Sequence, residues 1–254
     1  MELHTGRRDL GEGFRQLFEL TVALDTATLD EVFRIRHEVY CRDLGWEPIR
    51  GDGRESDEFD RHSFHCLLRK RVTSEAVGCI RLILARPEDP GYPLPFEGSC
   101  EAVLDRSLAD PLRMPRDTLG EVSRLAVLHA FRQRKGEESA AAPISDGDFA
   151  DHGPTSRFPF IPVGLYLGAA AIARRLNVEN VFVLTEPRLA SHFARIGFDI
   201  RAVGGPIEHH GVRVPSLLSS SKVVDGLRPM IRPLYATVEE SVEKAFLAHP
   251  NART

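Results

Sequence analysis

The spacing of apolar positions changes period several times along this chain, and each change marks an element. Loose alternation over residues 17–24, "LFELTVAL", predicts a first strand. Leu29, Val32, Phe33, Ile35, Val39 and Tyr40 then fall on one stripe, which predicts a helix over about 27–40, capped by Asp25 or Thr26. "SFHCLLRKR" (63–71) and "AVGCIRLILAR" (76–86) read as two strands around the short polar turn "VTSE", an antiparallel hairpin. A Pro/Gly-rich connector comes next, and "EAVLDRSLAD" reads as a short helix. Residues 119–131, "LGEVSRLAVLHAF", predict a central strand interrupted by Glu121, Ser123 and Arg124. Residues 161–177 predict a long helix with Pro162 near its first turn, and 178–185 a buried strand. "PRLASHFARIG" predicts a helix ended by Gly197, "FDIRAVGG" a strand, and "HHGVRVPSLLSS" a last strand after a turn at Gly211. One amphipathic helix closes the chain. The order β-α-β-β-(α)-β-α-β-α-β-β implies a mixed α/β (α+β) fold, a central sheet with helices on both faces.

Composition narrows the class without changing that picture. With 254 residues the chain is long enough for a sizeable core. Residues 136–157 are small, acidic and Pro/Gly-rich, and read as a mobile insertion within one domain spanning 1–254, because the later elements complete the structure begun by the earlier ones. Residues 223–254 form a C-terminal extension. A formal net charge of −4 argues against binding nucleic acid through phosphate contacts. No run reaches the roughly 18 apolar residues of a membrane span, and the first residues lack the apolar segment of a secretory signal. Cys41, Cys66, Cys79 and Cys100 are widely spaced, as expected of reduced thiols in a cytoplasmic protein without a metal site.

Three features carry candidate chemistry. The segment "ESDEFD" places Asp57 and Asp60 three apart, so a helical loop turns both carboxylates one way. Read locally, it is either a solvated acidic loop or a set of partners for nearby cations. Arg36 lies on the first helix in one row with Tyr40, within reach of that loop. Arg81 interrupts an apolar strand, where an unpaired charge is costly; it needs an anionic partner or an exposed face. In "GEVSRLAV", strand alternation sends Glu121 and Ser123 to one face and Val122 and Arg124 to the other. A carboxylate beside a hydroxyl on a central strand suits proton abstraction, while an ion pair of Glu121 with Arg81 or Arg124 is the structural alternative. The "EHH" turn at 208–210 reads as solvated, and neither a Gly-rich phosphate loop nor a GxSxG motif is present.

Taken in order, "FRIRHEVYCRDLGWE", "ESDEFD", "GCIRL", "EVSRLAV" and "TEPRLASHFARIGFDIRAVG" resemble the autoinducer-synthase-like branch of the GNAT acyltransferases. That branch holds LuxI-type acyl-homoserine-lactone synthases, FeeM-type N-acyl amino acid synthases and the acyltransferases associated with PEP-CTERM/exosortase systems. The resemblance runs from about residue 17 to about 222 without the insertion. It implies a GNAT sheet splayed between two central strands, with the donor's pantetheine arm in the splay. Glu121 is then the candidate base and Ser123 an assistant near the thioester. Arg36, Tyr40, Trp46, Asp57, Asp60, Arg81 and Arg124 are expected to form the acceptor side. Val122, Leu125, Val127, Arg132, Arg134, Phe160, Val163 and Gly164 are expected along the acyl donor. No bound cofactor or metal is expected; acyl-acyl-carrier-protein or acyl-CoA is the co-substrate, and a small amine or amino acid the acceptor. The insertion, the extension, "SRLAV" and "LRPLY" resemble the exosortase-associated group most. "FRQRKG" (131–136) departs from the usual pyrophosphate loop, which favours acyl-carrier protein, docked on Arg132, Arg134, Lys135, Arg174 and Arg175. The alternatives are a lactone synthase using S-adenosylmethionine, and an acyl- or carrier-binding module without turnover.

Overall fold

The computed structural model describes residues 9–132 and 159–250. The expected insertion, with Arg134 and Lys135, lies outside these residues. Asp9 caps a first helix, α1 (Leu10–Leu17), by accepting from the Glu12 N–H at 2.8 Å. The strand β1 (Phe18–Val22) begins at once, and Asp25 caps α2 (Thr26–Arg36) through the N–H and hydroxyl of Thr28. The hairpin appears as β2 (Ser63–Lys70) and β3 (Ala76–Leu84). After α3 (Pro95–Ser99) come β4 (Leu119–Val127), α4 (Phe160–Arg175), β5 (Asn180–Thr185) and α5 (Pro187–Ile196). Short strands β6 (Ile200–Ala202) and β7 (Ile207–Glu208), the strand β8 (Val212–Ser219), a one-turn α6 (Val223–Gly226) and α7 (Arg232–Ala248) complete the order.

The strands form an eight-stranded sheet, ordered β1-β2-β3-β4-β5-β8-β6 with β7 on β8. All pairings are antiparallel except β4 with β5. That parallel pair is brief. It covers Leu119–Val122 against Asn180–Val183, and the two strands then run on without pairing. The sheet therefore splays just beyond Val122 and Val183.

Side-chain alternation gives the two faces different jobs. Leu68, Ile80, Leu82, Val122, Val181, Val183 and Leu218 point to one face and pack with α1, α4 and α7 in one large core. The opposite face is broken in two. Leu67, Cys79 and Ala126 pack under α2, whereas Ile83, Leu119, Phe182 and Leu217 pack under α3 and the segment after it. Between these two apolar clusters lies a polar strip that includes Arg81, Glu121 and Ser123.

Several sequence expectations are corrected. Residues 101–110 are turns, since the helix expected there forms earlier, inside the Pro/Gly connector, where Pro95 starts α3 and Glu97 accepts from the Leu94 N–H. The N-terminal helix α1 is absent from the sequence pattern. Its amphipathic face is only eight residues long, too short to stand out from its polar flanks. The hairpin turn before β8 likewise contains the unexpected strand β7. The helix expected to run to Tyr40 is α-helical only to Arg36 and continues as a π-helix over His37–Asp43. Gly197 ends α5 at φ +97°, as a left-handed cap, and lies so close to the Gly226 carbonyl that a Cβ would meet it at 2.0 Å.

Helix α1 is pinned by Phe14, whose ring packs on Phe18 and Phe160 at 5.7 and 6.1 Å and fills the space above Gly164. Phe160, Val163 and Val127 are buried in this core. Phe14→Ala should therefore cost about 3–5 kcal/mol in chemical denaturation, whereas Leu17→Ala, on the exposed side of the same helix, should change stability by less than about 0.5 kcal/mol.

Candidate active site

The polar strip owes its arrangement to a bulge. Cys79 faces Ala126 and Arg81 faces Ser123, so Ile80 stands opposite both Arg124 and Leu125. Arg124 takes up the extra residue at φ +52°, a left-handed conformation that costs a bulky residue about 1–3 kcal/mol. The bulge shifts the alternation by one residue. Leu125 turns to the large core and Ala126 to the α2 side. Arg124 stays on the side of Ser123, although strict alternation separates them. This is a correction to the simple alternation rule, and its cause is the bulge.

On that side four carboxylates meet three guanidiniums. Arg36, wholly buried at the end of α2, donates to Glu55 at 2.5 Å and to Asp60 at 2.6 Å. Arg81 donates to Asp57 at 2.6 Å, to Asp60 at 2.8 Å and to Ser123 Oγ at 3.1 Å. Arg124 reaches Glu47 at 3.0 Å, Glu55 at 3.3 Å and Asp57 at 3.5 Å, and lies over the Tyr40 ring. Asp57 also caps the short 3-10 turn Glu58–His62, within a capping box closed by Asp60. The "ESDEFD" segment is thus an ion-paired loop and not a solvated one. Burial raises the Glu55 and Asp60 carboxyls, but the bonds and charge of Arg36 outweigh it and hold both below their ordinary values. His65, on β2 behind Asp60, is driven down to about 3 by burial and by Arg36, so its ring is neutral at pH 7.

Glu121 is different. It is buried, and the contact that holds it is a 2.9 Å hydrogen bond from the Phe96 N–H of α3. Phe96 is fixed in turn by stacking on Phe182 at 4.1 Å. Both arginines considered as ion-pair partners, Arg81 and Arg124, are engaged by other carboxylates. Burial therefore dominates and pushes the Glu121 carboxyl up to about 7, against the lowering effects of the Phe96 N–H and the Arg81 charge. A carboxyl at that value exchanges protons easily near neutral pH.

Glu121 and Ser123 line a cavity of about 330 Å³ at the splay. Its walls include Tyr40, Trp46, Asp57, Arg81, Val122, Arg124 and Leu125 from the expected set. Tyr40 is held by donating to the Leu125 carbonyl at 2.7 Å. The π-helix and its flanking loop set Trp46 on Tyr40, with ring centroids 5.8 Å apart. The structure adds residues the sequence did not single out: Glu47, Glu55, Phe96, Tyr166, Glu186 and the β7–β8 turn with His209, His210 and Arg213. The "EHH" turn is not a plain solvated loop. His210, at φ +51°, stacks on Trp46 at 4.6 Å and 10°, and Arg213 braces the turn by donating to the His209 and His210 carbonyls while pairing with Glu186. Nothing in the sequence spacing could pair residue 210 with residue 46.

Other expected donor-side residues lie elsewhere. Val127, Phe160 and Val163 are core residues, and Gly164 is packed against Phe14. Arg132 is buried and ion-paired with Asp43. Arg174 and Arg175 sit in the last turn of α4 and pair with Glu239 and Glu243 of α7. Of the expected basic docking patch, Arg132 is thus paired with Asp43, and Arg174 and Arg175 with the C-terminal helix, while Arg134 and Lys135 lie outside the described residues.

Residues 35–141 match the family described as acetyltransferase (GNAT) domain. Solved structures agree on the fold. TofI, in a ternary complex with an inhibitor and MTA, superposes with a TM-score of 0.56 at 20% identity, over 83% of this chain and 98% of its own. BjaI, a CoA-dependent acyl-homoserine lactone synthase with SAM and isopentyl-CoA, gives 0.55 at 17% over 89% of each chain. FeeM, an N-acyl amino acid synthase from uncultured soil microbes, gives 0.51 at 12% over 85% and 98%. No curated protein matches the sequence. The sheet is the expected splayed, mixed one with helices on both faces, consistent with the GNAT fold. No helix among the described residues is long and apolar enough to cross a membrane.

The ion network sets a stability prediction. Removing one partner of a buried pair leaves an uncompensated charge, so Arg36→Ala should cost about 3–5 kcal/mol in denaturant titration. Glu55 and Asp60 have folded-state values below their ordinary 4.5 and 3.8. Their stabilisation is complete above those values and falls as pH drops through them, so the acid-induced loss of stability below about pH 4.5 should be shallower in Arg36→Ala than in the parent.

Proposed function

We propose that the protein is an N-acyltransferase that moves a fatty acyl chain from an acyl-carrier-protein or CoA thioester to the amine of a small molecule or amino acid. The observation that carries this reading is Glu121. It is a buried carboxyl without an ion-pair partner among the described residues, raised to about 7, and it faces a cavity at the splay of a GNAT-like sheet. An acceptor ammonium must lose a proton before its lone pair attacks the thioester carbon. Glu121 takes that proton directly or through one water. The carbon–nitrogen bond forms, the carbon–sulfur bond breaks, and the thiol leaves with a proton. Ser123, held by Arg81, stands two residues along the same strand to assist at the thioester.

In this reading Arg36, Asp57, Asp60 and Arg81 are spent on one another. They fix the acceptor wall, with Tyr40, Trp46 and Arg124 facing the cavity. Val122 and Leu125 line the acyl path. Either thioester carrier fits this reading, since Arg132, Arg174 and Arg175 of the patch that favoured carrier protein are ion-paired within the chain. The C-terminal helix and the insertion favour the exosortase-associated group, acting in the cytoplasm. The fold shared with BjaI and TofI keeps S-adenosylmethionine as an alternative acceptor.

The test is incubation of the purified protein with octanoyl thioesters of CoA and carrier protein, together with amino acids or S-adenosylmethionine, then mass spectrometry and thiol release. An N-acyl amine is expected; methylthioadenosine would assign the lactone synthase instead, and thioester binding without transfer the binding module. Glu121→Gln should lower kcat by about 10²–10⁴. The base must be ionised, so kcat/KM should rise through about pH 7 in the parent and lose that limb in the variant. Since the folded value lies above the ordinary 4.5, the cost of ionising Glu121 appears as pH rises toward 7, and Glu121→Gln should flatten stability across that window.

A further inference from the structure

A second, smaller cavity lies behind the first, and Val122, Tyr166 and Val183 line both. Val122 and Val183 are the last paired residues of β4 and β5, so the two spaces meet where the sheet begins to splay. The inner space holds only about 20 Å³ and is floored by Phe193, Phe198, Ile200 and Leu218. Apart from Tyr166, its polar lining residue among the described residues is Thr185, whose hydroxyl is bonded to the Val183 carbonyl. Tyr166 stands between the spaces. Its ring meets Phe193 edge-on at 4.3 Å and 74°, on the dry side. Burial raises its phenol above the ordinary value. The residues shared by the two spaces, Val122, Tyr166 and Val183, lie on the way from Glu121 to the apolar inner space. Behind Tyr166 there is room for about one or two waters.

We infer that Tyr166 sets the length of the acyl group this protein accepts, closing the inner apolar space to long chains. This rests on the acyl-transfer reading above. Shorter acyl thioesters fill the outer cavity and stop against the Tyr166 ring. Longer ones bind only if the ring leaves Phe193 and opens the space floored by Phe198, Ile200 and Leu218.

Calorimetric binding of butanoyl, octanoyl and dodecanoyl thioesters, each on CoA and on acyl carrier protein, tests this without knowledge of the acceptor. A methylene moved from water into an apolar site tightens binding about fourfold. In the parent that gain should stop before dodecanoyl. In Tyr166→Ala and in the milder Tyr166→Leu, the affinity ratio of dodecanoyl to butanoyl should rise by at least about tenfold. Tyr166→Phe, which keeps the ring and loses only the hydroxyl, should retain the parental profile. A parental affinity that climbs by about fourfold per methylene up to dodecanoyl overturns the inference even if neither truncated variant folds. So does an unchanged ratio in a folded Ala or Leu variant. Failure of the parent to bind any of the three thioesters on either carrier would instead overturn the acyl-transfer reading itself.

Discussion

The architecture of the site depends on neutralising Arg36. A guanidinium with no solvent contact at the end of α2 is tolerable only if carboxylates meet it, and the loop after the helix supplies Glu55 and Asp60 at hydrogen-bond distance. Those acids bring a chain of further charges. Asp60 and Asp57 bind Arg81, Asp57 and Glu55 bind Arg124, and Arg81 holds Ser123. The loop, two strands and the end of α2 are thereby joined by one electrostatic network, in which removing Arg36 would leave buried carboxylates uncompensated. Its contribution is positional more than energetic, since an apolar replacement of equal volume would also pack.

The network also explains why Glu121 is left alone. The two arginines near it, Arg81 and Arg124, are already shared among Glu47, Glu55, Asp57 and Asp60. A carboxyl that is buried, receives one backbone N–H and has no ion-pair partner among the described residues titrates near neutrality, whereas Arg36 holds Glu55 and Asp60 below their ordinary values. The same small region thus holds fixed anions and one exchangeable proton. The division arises from which side chains reach the guanidiniums, since all are carboxylates.

Much of this was legible in the residues. The alternation of 63–71 and 76–86 gave a hairpin, and an arginine in the middle of the apolar run "GCIRLIL" required an anion, which the acidic loop supplies. The order of the helix arginine, the tryptophan, the acid pair and the strand glutamate carried the GNAT reading. Three things were out of reach, for physical reasons. The bulge at Arg124 depends on strand register, which alternation alone does not encode. The Phe96 N–H on Glu121 comes from backbone in a segment whose prolines and glycines read as a connector. The β7–β8 turn meets Trp46 across more than half the chain, and contacts at that separation leave no local pattern. The pairing of Arg174 and Arg175 was out of reach for a related reason: their partners lie on α7, far along the chain.

The stack of Tyr40, Trp46 and His210 has one more implication. Tyr40 is tied to β4 through the Leu125 carbonyl, and His210 belongs to the hairpin beside β5, so the stacked rings bridge the two arms of the splay. Any widening of the cleft must part the indole from the imidazole. As Trp46 is the sole tryptophan of the chain, its emission is an intrinsic optical gauge of how far the sheet is open.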